Sequence, residues 1–271
     1  MICNISLDEI NDAVRIHWKL QLGSYFDSVH DLDGAVYNLG DTVKDYYWNY
    51  AGMINTSSEK AEDLITKVEE FAFKNNREPA FYIDPTTKPN NFSDYLLKRE
   101  YQPDDDEIWM LFNRFPNTLK KSPPNLVINE ISSFDEMKVY VDVFHEAYEF
   151  LEGQEKTSPY GNSLLMAYRN KPKNVSIHHF IGWDLNEPVS VSSIYVSDTV
   201  AGLYNVGTPK KHRNKGYGSA LSIHSIKYAQ QIGIYDKIIL QTELGDDAER
   251  LYKTLGFEQA FSAAIWAKKA N

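Results

Sequence analysis

The segment Val206–Ala220 has the clearest potential for chemistry in this sequence. A β-rich run ends there, a turn containing Gly216 and Gly218 follows, and a helical stretch begins. Glycine lacks a Cβ, so the turn can bend tightly and bring backbone N–H groups close to a ligand. Those groups would lie at the positive end of the following helix, which attracts anions. Basic residues surround the turn at Lys210, Lys211, Arg213 and Lys215. The segment predicts a pyrophosphate-binding loop; the alternative is an ordinary strand-to-helix turn with solvated lysines.

Two common phosphate motifs do not fit this loop. It lacks the Gly-x-x-x-x-Gly-Lys-Ser/Thr sequence and the three-glycine dinucleotide pattern. Its residues Arg213-Asn-Lys-Gly216-Tyr-Gly218 resemble instead the R/Q-x-x-G-x-G/A signature of the GNAT superfamily of acyl-CoA-dependent N-acetyltransferases. A second motif of that family has its counterpart in Ala248-Glu-Arg-Leu251-Tyr252-Lys-Thr-Leu-Gly256-Phe257. The resemblance covers residues 125–271 and reaches the first half only as a weaker echo.

The resemblance implies how acetyl-CoA would be held. Val206 and Thr208, at the end of a strand splayed from its neighbour, would pair through their backbones with the pantetheine arm. The Val206 N–H would also stabilise the oxyanion of the transition state. Gly245 stands where the family often has an asparagine, which removes one usual contact. The pyrophosphate would lie on the loop residues Arg213, Asn214, Lys215, Gly216, Tyr217, Gly218 and Ser219.

Catalytic roles follow from the same resemblance. Tyr252 matches the family tyrosine that protonates the leaving thiolate, a step suited to a phenol with a pKa near 10. It also shares a helical face with apolar residues, so a packing role is the alternative. The family pattern does not fix the general base. Glu243, at the end of its strand, is the leading candidate, and Tyr204 on the splayed strand is the second.

The elements that would position these residues alternate between strands and helices. We predict strands at 125–130, 175–183, 189–196, 200–208, 237–242 and 259–268, the middle three forming an antiparallel meander. Helices are predicted from the Ser133 cap to about 150 and at 163–169, 216–232 and 247–255, with a polar loop at 153–162. Ser133 and Glu136 form a capping box. This order predicts an α/β (α+β) fold with a mixed, mostly antiparallel sheet flanked by helices.

The first half repeats part of this plan. Helices are expected at 7–22, 92–99 and after a capping box at Thr56 and Glu59, and strands at 47–54, 80–83 and 107–112. A proline-rich stretch at 114–125 indicates a linker. We therefore expect two GNAT-like domains, 1–118 and 125–271, related by a diverged duplication. Ile54–Lys60 stands where a phosphate loop would lie but has no glycine, so the first domain is expected not to bind CoA in the usual way.

Composition narrows the function classes. The single cysteine, Cys3, excludes multi-cysteine metal sites, and no histidine has metal-ligand spacing, so no metal is expected. No apolar run is long enough to span a membrane, and no signal peptide is evident; a cytoplasmic location is predicted. Residues 1–120 carry a net charge of −9 and residues 121–271 of −1. Such acidity disfavours nucleic acid as a partner and favours a cationic one, although it also serves solubility alone.

The sequence therefore predicts an N-acetyltransferase that moves the acetyl group of acetyl-CoA directly to a primary amine. A cationic small molecule such as a polyamine or an aminoglycoside fits the charge, and a lysine side chain or protein N-terminus fits nearly as well. A non-catalytic acyl-CoA sensor is the alternative, and a resemblance to tandem-GNAT aminoacyl-transferases that use aminoacyl-tRNA is disfavoured by the acidic charge. The oligomeric state, acyl-chain preference and acceptor are not specified by the sequence.

Overall fold

The chain forms two compact units. The computed structural model describes residues 6–149, 158–172, 175–234 and 237–268, apart from the side chain of Asp105. Unit 1 comprises Met1–Met110, Gln241–Glu249 and Gln259–Asn271, and unit 2 comprises Leu111–Leu240 and Arg250–Glu258. The helices are α1 (Leu7–Gln21), α2 (Ala61–Lys74), α3 (Phe92–Lys98), α4 (Phe134–Tyr148), α5 (Pro159–Asn170), α6 (Tyr217–Gln231) and α7 (Asp247–Leu255). The strands are β1 (Ser28–Asp31), β2 (Val36–Leu39), β3 (Tyr50–Gly52), β4 (Ala80–Ile83), β5 (Tyr101–Phe112), β6 (Leu126–Glu130), β7 (Ser176–Asp184), β8 (Glu187–Val196), β9 (Ala201–Gly207), β10 (Ile238–Glu243) and β11 (Phe257–Lys268).

In unit 2 the strands lie in the order β10-β9-β8-β7-β6. β6 through β9 pair antiparallel, which confirms the predicted meander, and β9 and β10 pair in parallel. Ser192 bonds to Ser225 of α6, whereas Ser193 bonds to Tyr140 of α4. Because successive strand residues face opposite sides, α4 and α6 cover opposite faces of β8. The predicted mixed α/β fold is confirmed.

In unit 1 the strands follow the order β1-β2-β3-β4-β11-β5. A core of buried apolar residues from β2, β4, α2 and α3 lies against this sheet. The β1–β2 hairpin was not predicted. Its turn is Asp33-Gly34, both with positive φ (54° and 120°), and the N–H of Leu32 bonds to the carbonyl of Ala35. An Asp-Gly pair is the usual signal for such a two-residue turn, but strands of only four residues give too short an alternation to stand out.

The units differ from the division at 1–118 and 125–271. β11 pairs antiparallel with β4, from Ala264 opposite Ile83 to Ala267 opposite Ala80, so the end of the chain completes the sheet of unit 1. The aromatic core of unit 1 uses the same strand, since the rings of Trp109 and Phe261 stack with centroids 5.2 Å apart. Sequence order alone gives no sign that a strand returns to an earlier unit.

Local helix signals had mixed outcomes. The capping box of Ser133 and Glu136 is present at the start of α4. The box expected at Thr56 and Glu59 is wrong, because Glu59 bonds to the Ser57 hydroxyl and α2 begins only at Ala61, after a 3-10 turn. α5 begins at Pro159, not 163, with the Ser158 side chain capping it. Of the loop expected at 153–162, residues 153–157 lie outside the described residues, and residues 159–162 belong to α5.

Gly256 and Gly233 form a matched pair for testing the turn that ends α7. Both have left-handed φ values (98° and 101°), but a Cβ on Gly256 would lie 1.8 Å from the Arg114 carbonyl oxygen, whereas a Cβ on Gly233 would meet nothing within 4 Å. We expect Gly233→Ala to cost about 1–2 kcal/mol of unfolding free energy from backbone strain. Gly256→Ala should cost about 1–3 kcal/mol more from the added overpacking. Urea unfolding of both variants measures this difference, and equal losses would contradict it.

Candidate functional site

Within unit 2 the ladder between β9 and β10 is short. In the described part of the chain it places Ile238 and Ile239 opposite Ala201 and Gly202. β9 continues to Gly207, and its register with β8 shifts between Val191 and Ser193. The outer edge of β9 therefore leaves the β10 ladder after Gly202. A strand edge of this kind offers backbone groups to an extended ligand, as in strand addition.

The loop after β9 turns the chain into the start of α6. Asn214 and Gly216 both have positive φ (64° and 87°), and Gly216 caps the helix without a side-chain bond. The first helical backbone bond joins the Ala220 N–H to the Gly216 carbonyl at 3.0 Å. The N–H groups of the first three helical residues, Tyr217, Gly218 and Ser219, consequently have no partner within the helix. This end of α6 has the electrostatic character of an anion site.

Gly218 allows α6 to begin close to the end of β9. A Cβ at this position would lie 3.3 Å from the Thr208 hydroxyl oxygen and 3.9 Å from a methyl carbon of Leu251 in α7. The Thr208 hydroxyl lies 2.9 Å from that of Ser190, which also donates to the Gly207 carbonyl at 2.8 Å. The buried serine of β8 thus fixes the strand end that leads into the loop.

Arg213 and Tyr217 hold the loop in place. The Arg213 guanidinium donates to the carbonyls of Thr208 (3.1 Å) and Ala147 (2.9 Å). The buried Tyr217 hydroxyl donates to the Asp184 carboxylate, and this bond, together with burial, raises the tyrosine pKa to about 12. Both residues are predicted to bind a cofactor through the backbone N–H groups of the loop. Their side chains bond to the protein, which agrees with a role for the backbone and not for the side chains.

The basic residues of the loop divide into two groups. Lys210 pairs with Glu149 at 2.8 Å, and Lys211 pairs with Glu146 at 3.1 Å. Both pairs are exposed, so each contributes little to stability, yet each charge already has a neighbouring carboxylate. Lys215 has no carboxylate partner within the described part of the chain. The four basic residues are therefore not equivalent, and Lys215 is the one available to an anion.

The side chains of Tyr148 and Tyr204 both contact the backbone of β9. The Tyr148 hydroxyl, at the end of α4, donates to the Val206 carbonyl at 3.1 Å. That carbonyl is therefore engaged from the α4 side. The ring of Tyr204 covers Gly202, where a Cβ would lie 2.2 Å from a ring carbon, and lies 5.0 Å from the Tyr195 ring. Tyr204 thus stands where β9 leaves β10.

The two predicted catalytic residues differ in burial. Tyr252 is 7% exposed, and its ring centroid lies 5.7 Å from that of Phe257. Its neighbour Leu251 is the residue that approaches Gly218. Glu243 is the exposed last residue of β10 and belongs to unit 1.

A buried polar cluster lies under the splayed strand. The Ser193 hydroxyl lies 2.6 Å from the Tyr140 hydroxyl and 2.7 Å from His179 Nδ1. Burial lowers the pKa of His179 to about 3, and the neighbouring His178 adds to this effect. His179 is therefore neutral at physiological pH. The run Ser190-Val-Ser-Ser193 in β8 is the sequence signal for these contacts, because serines occur on both faces of a buried strand.

The described residues contain no cluster of three or more His, Cys, Asp or Glu side chains suited to a metal ion. Among the helices that the structure describes, none has the length and hydropathy required to cross a membrane.

Residues 140–257 match the model of the acetyltransferase (GNAT) family. The fold is similar to that of a GCN5-related N-acetyltransferase from Kribbella flavida (TM-score 0.69, 14% identity), covering 96% of this chain and 95% of that one. It is also similar to a tandem GNAT protein from the clavulanic acid biosynthesis pathway (TM-score 0.63, 11% identity), covering 88% and 79%. A GCN5-related N-acetyltransferase from Sphaerobacter thermophilus is similar too (TM-score 0.63, 15% identity, 88% and 81%). No curated protein sequence matches the chain significantly.

The low pKa of His179 predicts a pH-dependent stability. A histidine near pKa 3 when folded and about 6.5 when unfolded binds protons preferentially in the unfolded chain. Its stabilisation is complete above pH 6.5 and falls by about 1.4 kcal/mol per pH unit as the pH drops toward 3. Between pH 7 and 5, the fall in unfolding free energy should be about 2 kcal/mol smaller in His179→Asn than in wild type. Urea unfolding at both pH values measures the difference, and equal falls in the two proteins would contradict the prediction.

Proposed function

Since residues 140–257 match the model of the acetyltransferase (GNAT) family, we propose that this chain transfers the acetyl group of acetyl-CoA directly to a primary amine. The observation that carries the proposal is the opening between β9 and β10 next to the first turn of α6. It combines a strand edge that the β10 ladder leaves after Gly202 with an anion-attracting helix end, and acetyl-CoA has an amide-bearing arm and a pyrophosphate for these two features.

The residues that would hold acetyl-CoA are those of the β9–α6 connection. The N–H groups of Tyr217, Gly218 and Ser219 would bind the pyrophosphate, with Lys215 neutralising part of its charge. The backbones of Val206 and Thr208 would pair with the pantetheine arm. For Val206 we assign this contact to the N–H, because its carbonyl already accepts from Tyr148. The Arg213 side chain and Asn214 act indirectly, by shaping the loop.

Bound acetyl-CoA supplies the acetyl thioester. The protein has two protons to move: one leaves the amine that attacks, and one reaches the sulfur that departs. The Tyr252 hydroxyl would give the second proton, and partial burial beside Phe257 restrains its ring for that role. Glu243 and Tyr204 are the candidates to accept the first proton, directly or through water. Glu243 is the better base by its chemistry, whereas Tyr204 stands at the opening itself.

A cationic small molecule is the acceptor that the charge distribution favours. Residues 1–120 carry a net charge of −9, and such a field attracts polyamines and aminoglycosides. A lysine side chain or a protein N-terminus is the second candidate. The non-catalytic sensor remains the competing function for the same site, with Tyr252 only packing.

Unit 1 is proposed to have a role other than binding a pyrophosphate. Two N–H groups of the loop before α2 are already bonded: Asn55 donates to the Gly34 carbonyl, and Thr56 donates to the Lys88 carbonyl. The cavity beside it, about 480 Å³, is lined by both Asp33 and Asp63 as well as lysines. A bound anion would meet carboxylates there. We therefore assign shaping of the acceptor site or assembly to this unit.

Ser219 offers a direct test of acetyl-CoA binding. An aspartate at the third position of α6 favours the helix dipole, so Ser219→Asp should unfold at the same temperature or higher. The same negative charge would repel a pyrophosphate, so acetyl-CoA affinity should fall by about tenfold or more. Ser219→Asn is the neutral control and should bind within about threefold of wild type. Calorimetric titration measures the dissociation constants. No binding to the wild-type protein would overturn the proposed function.

Tyr252→Phe separates an enzyme from a sensor. The substitution keeps the ring against Phe257 and removes only the hydroxyl, so acetyl-CoA affinity should stay within about twofold. The rate of amine-dependent CoA thiol release should fall by about 10²-fold or more if the hydroxyl is the acid. Spermidine, an aminoglycoside and a lysine peptide are suitable acceptors. Tyr228→Phe is the control: this residue lies in the last turn of α6, away from the proposed site, and the variant should retain wild-type turnover. Unchanged turnover in Tyr252→Phe would remove this residue from the mechanism.

A further inference from the structure

A cavity of about 500 Å³ lies beside the first turn of α6, within unit 2. Three segments enclose it: the linker residues 119–122, Ile128 of β6, and the loop and first half of α6. Gly216 and Ser219 line it, so it adjoins the N–H groups proposed above for the pyrophosphate. Its size falls within the range of about 300–1,000 Å³ that is usual for small-molecule sites.

The cavity is strongly basic. Lys120, Lys121, Lys215 and Lys227 line it, and no Asp or Glu does. None of these four lysines has a carboxylate partner within the described ranges of the chain. Lys210 and Lys211, in contrast, pair with Glu149 and Glu146 and lie outside this lining. Four unneutralised cations around one cavity predict an anionic ligand, most favourably a phosphate ester.

The same cavity has an apolar floor. Leu119, Ile128, Ala220 and Ile223 contribute aliphatic surface, and the half-buried His224 adds a ring. Burial and the neighbouring Lys227 both lower the pKa of His224, while Glu130 opposes the shift. A neutral imidazole can stack on a flat aromatic group. The four lysines and the apolar surface together suit a nucleoside that bears a phosphate group.

Resting on the proposed function, we propose that this cavity binds the adenosine 3′-phosphate of CoA, and that the linker lysines Lys120 and Lys121 recognise that phosphate. CoA carries two separate anionic groups, the pyrophosphate and the ribose 3′-phosphate. The start of α6 takes the first, and the adjoining lysine cavity takes the second. Pro123 of the linker lies near this loop, since its ring carbon would be 3.8 Å from a Cβ on Gly216. The linker thereby contributes to the specificity for the 3′-phosphate of CoA.

The test compares CoA with 3′-dephospho-CoA, which differs only in that phosphate. Calorimetric titration of the wild-type protein should show CoA binding at least about tenfold more tightly, the expected size of lost charge-assisted phosphate contacts. In Lys120→Gln/Lys121→Gln the preference should fall to about threefold or less. The affinity for 3′-dephospho-CoA itself should change little. The preference should also shrink as salt increases, because exposed charges are screened.

Lys138→Gln/Lys171→Gln is the matched control. It removes the same charge from unit 2 at positions that do not line the cavity, and it should keep the wild-type preference. Equal binding of the two ligands by the wild-type protein overturns the inference without touching the proposed function. A preference that persists in Lys120→Gln/Lys121→Gln also overturns it. Failure of both ligands to bind would overturn the proposed function instead.

Discussion

The close approach of the first turn of α6 to the end of β9 is the constraint on which the candidate site depends. A Cβ on Gly218 would lie 3.3 Å from the Thr208 hydroxyl oxygen, so a side chain there would require the threonine to move by a few tenths of an ångström. Ser190 fixes that hydroxyl from β8, and the Arg213 guanidinium ties the Thr208 carbonyl to the end of α4. The loop is therefore anchored from both sides by bonds within the protein. These anchoring bonds use hydroxyl, guanidinium and carbonyl groups and none of the N–H groups in the first turn of α6.

The parts of the site that could be predicted from sequence are those governed by local rules. Glycines at 216 and 218, the helix that follows and the antiparallel meander follow from backbone geometry and periodicity, and the structure contains them. The hydrogen-bond partners of long side chains could not be predicted. Arg213 bonds to Ala147, which is 66 residues away in the chain, and nothing near Arg213 in the sequence indicates that partner. Tyr217 and Asp184 are a similar case.

The division of the chain shows the same limit on a larger scale. A proline-rich segment correctly indicates a break in regular structure near residue 114, yet β11 pairs with β4 in unit 1. Strand pairing is a long-range interaction, and the partner of a strand depends on which other strand edges are available. An alternating apolar pattern predicts a strand and its buried face, but it does not predict which other strand lies next to it. The core contact between Trp109 and Phe261 depends on this return of the chain.

The lysines near the loop differ in whether a carboxylate already neutralises their charge. Lys210 and Lys211 count toward the basic character of the sequence, but their carboxylate neighbours cancel much of their field at a distance. The cations without such neighbours include two from the linker, Lys120 and Lys121, far from the motif in sequence. In unit 1 the loop before α2 lies beside Asp33, which pairs with Lys67, and the N–H groups of Asn55 and Thr56 already donate to backbone carbonyls. The two strand-to-helix connections therefore differ in the charges and N–H groups that a bound anion would meet. The cause is the pairing of charges and N–H groups, more than the number of basic residues.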